Sequence, residues 1–204
     1  VDTKREILSM ARRLFTEHGY NGVSMRDIAG ELNISVGNLT YHFKKKEELI
    51  EAIVQDMQKS YQPRTAPQTL YELDNLISHI QELQELYAFY FSHRTQLAEI
   101  SDKIKKIQLR MLKENDILWK NTFDNLRLAG LINNEEYPHQ HEHLMKAVQM
   151  VTIYWSEHSK LETGSGDGTV ELKQCVWAII IPILSPDSRL SFNNFSDLQF
   201  QAQR

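Results

Sequence analysis

The sequence predicts an all-α protein with a three-helix N-terminal head, residues 1–46, and a larger helical body, residues 47–204. Three observations lead there. Apolar residues recur at three- and four-residue steps through almost every segment, the spacing of one face of a helix. Hydroxyl and acidic residues stand where helix starts need them, and Gly19, Asn33 and Gly130 stand where helices must stop. The 204 residues, 41% of them hydrophobic, suffice for one sizeable domain or a small one joined to a larger one.

The first helix is announced by Thr3 with Glu6, a capping box, and by Ile7, Leu8, Ala11, Leu14, Phe15 and His18 at helical steps up to Gly19. Its role is to brace the next two helices. Ser24 with Asp27 opens a second helix, whose apolar face is Ile28, Ala29 and Leu32. Asn33 tolerates a left-handed backbone and ends it. Ile34 plugs the turn, and Ser35 caps a third helix, Val36 to Phe43, with Leu39 and Phe43 on its inner side. Gly37, Asn38, Thr40, Tyr41 and His42 are left on the outer sides. A short helix with small and hydrogen-bonding residues at its exposed start suits insertion into a DNA major groove. Gly37 is unfavourable inside a helix, which implies a close approach by something else. On helix pattern alone, an ordinary hairpin of a larger bundle accounts for these residues equally well.

Gly37-Asn38-Leu39, Tyr41-His42-Phe43 and Lys46-Glu47-Glu48-Leu49 together resemble the DNA-binding signature of the TetR family of one-component bacterial transcriptional regulators. Phe15, Gly19-Tyr20 and Asp27-Ile28-Ala29 fall where that family has its first helix, its helix-ending turn and the start of its second helix. The resemblance covers about the first 50 residues. It departs from the family at Thr40, where an aromatic residue is usual, and at Asn33, where Gly is common. It implies a helix-turn-helix repressor whose helical C-terminal domain dimerises and binds a small inducer. The expected DNA contacts are Ser24, Arg26, Ser35, Val36, Gly37, Asn38, Thr40, Tyr41, His42, Lys44 and Lys46. Among them Ser35, Tyr41, His42 and Lys46 position the helix on phosphates, and Gly37, Asn38 and Thr40 lie nearest base edges. An activator, or a regulator without an inducer, fits the same head.

The net charge is −4, which argues against a protein that coats nucleic acid generally, but the charge is unevenly placed. Up to Lys46 eight Lys and Arg face five acids, so the remainder stands at −7. A basic head on an acidic body orients on DNA through phosphates. The single Cys175 excludes an internal disulfide framework and fits a reducing compartment. The charged start VDTKREIL suggests no secretory signal, and the longest apolar run, Val176 to Leu184, is far below the roughly 20 residues that span a bilayer. A cytoplasmic protein is expected. No Gly-rich phosphate loop, nucleophile elbow or HExxH is present, so an enzyme is not expected.

After the head, Lys44-Lys45-Lys46 leads into a helix through Leu49, Ile50, Ile53, Val54 and Met57, a physical link from head to body. Residues 63–69 carry two prolines and read as a connection. Leu73, Leu76, Ile77, Ile80 and Leu83 continue helically into the crowded Leu86-Tyr87-Ala88-Phe89-Tyr90-Phe91. That crowding is either core or cavity lining. A long helix through Ile100, Ile104, Ile107, Met111, Leu118 and Phe123 ends at Gly130. Tyr87, Tyr90, Phe91, Met111, Trp119, Phe123 and Tyr154 are the expected lining of a largely apolar pocket for an apolar or aromatic inducer.

Pro138 suits the first position of a further helix, and His139, His141 and His143 follow it. Alternate histidines resemble a metal site, but at a surface helix start with no nearby Cys no metal is expected, and no cofactor. Leu144, Ala147, Val148, Val151, Tyr154, Trp155 and His158 form one stripe. Beyond a flexible linker at 163–168 comes a second apolar element, Val170 to Leu184, whose centre VWAIII is hydrophobic all round and which is stopped by Pro182 and Pro186. Burial from two sides answers this, either inside a monomer or in a four-helix homodimer interface of Val148, Val151, Trp155, Trp177, Ile180, Ile181 and Leu184. The tail from Ser185 to Arg204, with Phe192, Phe195, Leu198 and Phe200, is a docked arm or frayed.

Overall fold

A computed structural model describes residues 3–61, 65–163 and 172–192. The linker at 164–168, Val170, Pro63 and the tail from residue 193, with Phe195, Leu198 and Phe200, lie outside the described residues. Within them the chain is helical: α1 (Thr3–His18), α2 (Met25–Glu31), α3 (Val36–His42), α4 (Lys46–Tyr61), α5 (Leu70–Leu86), α6 (Ala88–Ser92), α7 (Arg94–Ile100), α8 (Asp102–Leu128), α9 (Gln140–Thr163) and α10 (Leu172–Ile180), with a 3-10 turn at Ile181–Ile183. Two compact units form, one drawn from Val1–Gln62 and Leu83–Leu112, the other from Pro63–Glu82 and Lys113–Arg204. Packing therefore divides the chain differently from the functional boundary expected at residue 46, since α4 and 83–112 share a unit with the head. No described helix is long and apolar enough to cross a membrane.

In the first unit Ile7, Ala11, Leu14 and Phe15 of α1 close over Ile28, Leu39, Leu49 and Ile53. The aromatic run joins this core. The Phe89 ring lies 5.4 Å from that of Phe15, the Arg12 guanidinium sits 5.1 Å over the Tyr87 ring, and the Tyr87 hydroxyl donates to Asp56 at 3.0 Å. Helical periodicity alone does not show the breaks that make this possible. Tyr87 (φ −117°, ψ 33°) and His93 (φ −125°, ψ 21°) leave helical geometry and cut the run into short pieces. Two-sided burial explains the crowding: Tyr87, Phe89 and Tyr90 are all buried, more than one straight helix face turns inward. Ser101 is extended and begins α8, its hydroxyl donating to Glu51 at 2.6 Å while receiving the Lys103 and Ile104 N–H groups.

The core of the second unit comprises Leu73, Ile77, Trp119, Phe123, Val148, Val176, Trp177 and Leu184. Gly130 (φ 69°) ends α8, and the Leu131 N–H returns to the Leu126 carbonyl at 2.9 Å, a left-handed stop of the expected kind. The following loop pairs with the segment after α10, Asn133 N–H donating to Ile183 O at 2.8 Å and Ser185 N–H to Leu131 O at 3.0 Å. The helix expected to start at Pro138 begins instead at Gln140. His139 (φ 65°) takes a left-handed conformation between them, and a turn at 138–139 replaces the first helical positions. At the far end Phe192 packs its ring 4.4 Å from Trp177, so the start of the tail docks.

The apolar α10 meets its need for burial inside this unit. Val148, Trp177, Ile180 and Leu184, expected at a subunit interface, are buried within the single chain, whereas Val151, Trp155 and Ile181 are half-buried. Trp177 Nε1 donates to Asp74 Oδ1 at 3.0 Å, and Lys173 Nζ reaches Asp74 Oδ2 at 2.8 Å and Ser78 Oγ at 3.1 Å. This anchor ties α10 to α5. The outward apolar residues of α9 are Met150, 63% exposed, and Tyr154, 51% exposed.

Candidate nucleic-acid interface

The turn between α2 and α3 is built from side-chain caps. Ser24 Oγ accepts the Asp27 N–H at 3.3 Å, and Asp27 Oδ2 accepts both the Ser24 N–H and its hydroxyl at 2.7 Å. These hydrogen bonds hold the Asp27 carboxyl below its ordinary pKa. Asn33 is left-handed at φ 53°, and Ile34 N–H donates to Ala29 O at 3.0 Å, which folds the chain back over α2. Ser35 Oγ then accepts the Asn38 N–H at 3.1 Å and starts α3.

Leu39 and Phe43 are buried and pin α3 to the core, so its remaining faces point outward. Ser35, Val36, Gly37 and Asn38 are exposed, Tyr41 is 85% exposed and His42 is half-buried with its ring edge-on to Tyr41 at 5.3 Å. Thr40 turns partly inward, its hydroxyl donating to Gly37 O at 3.1 Å. A Cβ placed on Gly37 meets only Ser35 Oγ, at 3.7 Å. Nothing inside the protein requires glycine there. Ser24 and Arg26 at the start of α2, and Lys44 after α3, are exposed as well. Eight of the eleven sequence-expected contacts are thus exposed in the α2–α3 corner or directly after it, and Thr40 and His42 are half-buried there.

Lys46 is placed otherwise. Its ammonium donates to Tyr20 O at 2.8 Å and Val23 O at 2.9 Å and lies 4.1 Å over the Tyr20 ring. Two of its three N–H groups thus brace the turn between α1 and α2. Partial burial pulls its pKa below the ordinary lysine value, and burial pushes the Tyr20 phenol up to about 12. A lysine at a helix start suggests a phosphate contact; only the folded neighbourhood discloses the two carbonyls.

The residues expected to line one pocket fall in both units. In the first, Tyr87 and Tyr90 are core, and Phe91 and Met111 are half-buried against that core. In the second, Trp119 and Phe123 are buried, while Tyr154 faces outward on α9. His139 and His143 have ring centroids 6.4 Å apart, with His139 facing Glu142 at 3.3 Å and His143 stacking on Tyr137. No group of three or more His, Cys, Asp or Glu able to hold a metal occurs among the described residues.

Residues 7–53 match the family described as bacterial regulatory proteins, tetR family, and residues 53–192 match the TetR family described as bacterial transcriptional repressor. The chain belongs to the TetR family. The family is one of bacterial transcriptional regulators. Among relatives, it is similar to the HTH-type transcriptional regulator UidR of Escherichia coli, 42% identical over 59 residues, which are 28% of this chain and 30% of UidR. Similarity to the transposon Tn10 TetC protein of Escherichia coli extends over 153 residues at 26% identity, covering 64% of this chain and 75% of TetC. The fold is also that of a TetR-family transcriptional regulator from Marinobacter aquaeolei, with a TM-score of 0.81 at 24% identity, covering 93% of this chain and 94% of that one. The match to UidR thus spans less than a third of that regulator's length.

Proposed function

We propose that this TetR-family chain is a cytoplasmic repressor that binds a pseudo-palindromic operator as a homodimer and releases it when a small molecule occupies the second unit. One α3 from each copy enters a major groove, and two-fold symmetry sets the spacing of the half-sites at about one helical turn or somewhat more. Arg26, Ser35, Tyr41, His42 and Lys44 meet phosphates, and Gly37, Asn38 and Thr40 approach base edges. Lys46 acts from behind by holding the α1–α2 turn.

The observation that carries this reading is Gly37. A glycine in a seven-residue helix weakens that helix, and the space beside it is open on the protein's own side. A body arriving from outside gives the residue a purpose, and a DNA duplex fits the surrounding hydroxyls, amide and cations. The second copy is expected on the outward face of α9, through Met150, Val151 and Tyr154. Val148, Trp177, Ile180 and Leu184 support that face from beneath.

Selecting duplexes from a random pool with the full chain tests the proposal. Enrichment of an inverted repeat, bound by two chains, is the expected result. Enrichment of nothing, or of a single half-site, overturns it. A bound complex that no small apolar or aromatic compound dissociates points instead to a regulator without an inducer. In a released complex, operator affinity falls by the ligand's differential binding energy for the two states, typically about 1–3 kcal/mol.

A further inference from the structure

Residues 35–43 contain no lysine or arginine, so α3 itself carries no cation to pair with a guanine edge. Base edges are met by the first residues of a recognition helix, here Ser35, Val36, Gly37 and Asn38, and all four are exposed. Ser35 Oγ is engaged as the cap of α3, accepting the Asn38 N–H at 3.1 Å, while Val36 and Gly37 have no polar side-chain atom. Only Asn38 is left with a side chain able to make two hydrogen bonds side by side. Its amide takes part in no hydrogen bond among the described residues. Further along, Thr40 has already given its hydroxyl proton to Gly37 O at 3.1 Å, and His42 is half-buried beside the Tyr41 ring.

A hydrated asparagine on a surface is ordinary; this one stands next to Gly37. Gly37 and Tyr41, four residues apart, lie on the side of α3 away from Leu39 and Phe43, and Asn38 is the next position round, about 100° away. Asparagine reaches one methylene less than glutamine, so it meets a base only where the helix itself comes close. Gly37 permits that approach, since no Cβ stands on the leading face and the protein's own nearest atom to one is Ser35 Oγ, at 3.7 Å. The amide presents an acceptor, Oδ1, beside a donor, Nδ2. In the major groove adenine alone offers the complement, an N6–H donor beside the N7 acceptor. Guanine shows two acceptors there, and each pyrimidine one polar group.

We infer that Asn38 sets base specificity at one position of each half-site, where it reads adenine by donating to N7 and accepting from N6, and that Gly37 is its positioning residue. The inference rests on the DNA-binding reading under Proposed function and names the base that α3 reads. Duplexes are selected from a random pool with the full chain and with Asn38→Ala, which removes no side-chain contact inside the protein and so is expected to fold. The adenine whose preference flattens is then replaced by 7-deazaadenine, which lacks N7 alone.

Asn38→Ala is expected to flatten the preference at one adenine per half-site and keep the others. It should weaken operator binding about tenfold or more and leave the slope of log affinity against log salt unchanged. 7-Deazaadenine is expected to lower the affinity of the unaltered chain about fivefold and that of Asn38→Ala not at all. Gly37→Ala should flatten the same position, and adding Asn38→Gln to Gly37→Ala should recover it through the extra methylene. An unchanged pattern in Asn38→Ala, a flattened position that holds another base, or an equal 7-deazaadenine penalty in both chains overturns the inference. A Gly37→Ala chain that keeps the adenine preference overturns the positioning role. A pool from which the unaltered chain enriches nothing overturns the inference and the DNA-binding reading together, whereas an enriched inverted repeat indifferent to Asn38→Ala overturns the inference alone. Adenine preference in a single half-site bound by one chain keeps Asn38 and removes the dimer.

Discussion

At Gly37 local propensity and function pull in opposite directions. Alanine there meets no obstacle in the protein and removes glycine's helix penalty, so Gly37→Ala is expected to raise stability by about 0.5–1 kcal/mol. Operator affinity, read by fluorescence anisotropy, is expected to fall at least about tenfold in the same variant. A gain in stability with unchanged affinity removes the close approach from the proposal. Lys46 makes the opposite case, a residue whose appearance suggests DNA and whose hydrogen bonds point inward. Lys46→Met leaves the Tyr20 and Val23 carbonyls without their donor and is expected to lose about 1–2 kcal/mol in urea unfolding. The slope of log affinity against log salt should stay near that of the unaltered chain, whereas a lysine bound to phosphate lowers it by about one when removed. The caps at Ser24, Asp27 and Ser35 were legible in the sequence, since capping depends on residues three apart. The destination of the Lys46 ammonium was not, since its acceptors lie 23 and 26 positions away.

At the scale of elements, α10 shows how an apolar helix becomes an internal support. Asp74 is buried and receives both the Trp177 indole and the Lys173 ammonium, so its removal leaves the indole without its acceptor and takes one acceptor from Lys173. Asp74→Ala is expected to destabilise the chain by about 3–5 kcal/mol, measured by chemical denaturation. A loss below about 1 kcal/mol shows that the anchor is replaceable by water. The breaks at Tyr87 and His93 belong to the same scale. Periodicity shows that Tyr87, Phe89 and Tyr90 want burial, but the segment follows α5 without a proline or glycine to mark its bends. Phe15 and Arg12 decide the outcome, because the Phe89 and Tyr87 rings lie against them. Pro138 misleads for a related reason: it can open a helix, but His139 turns left-handed first.

For the whole molecule, stability against pH follows from groups whose pKa values folding displaces. Burial raises the Tyr20 and Tyr90 phenols to about 12 from 10.0. Their neutral forms favour the folded chain fully below pH 10, and that contribution is lost between pH 10 and 12 as the unfolded phenols ionise first. Hydrogen bonds from Ser24 and from Lys146 lower Asp27 and Asp116, so a second loss is expected as pH falls below about 3.8. Urea midpoints across about pH 3–12 should trace a plateau with both shoulders; a midpoint flat from about pH 9 to 12 contradicts the assignment of the buried tyrosines. The subunit face is tested at the same scale. Met150→Glu places a charge at the centre of the proposed interface and is expected to yield a monomer in sedimentation velocity, with operator affinity lowered together with it.

By itself the sequence determined the all-helical class, the caps and stops of the head, and the outward character of Ser35 to Asn38 and Tyr41. These depend on neighbours three or four residues away, and a helix brings such residues together whatever surrounds it. Tertiary structure alone decided what each apolar face meets. It placed Tyr87 and Tyr90 in a core, Tyr154 outside, and Trp177 on Asp74, because periodicity records that a side is buried and carries no label for its partner.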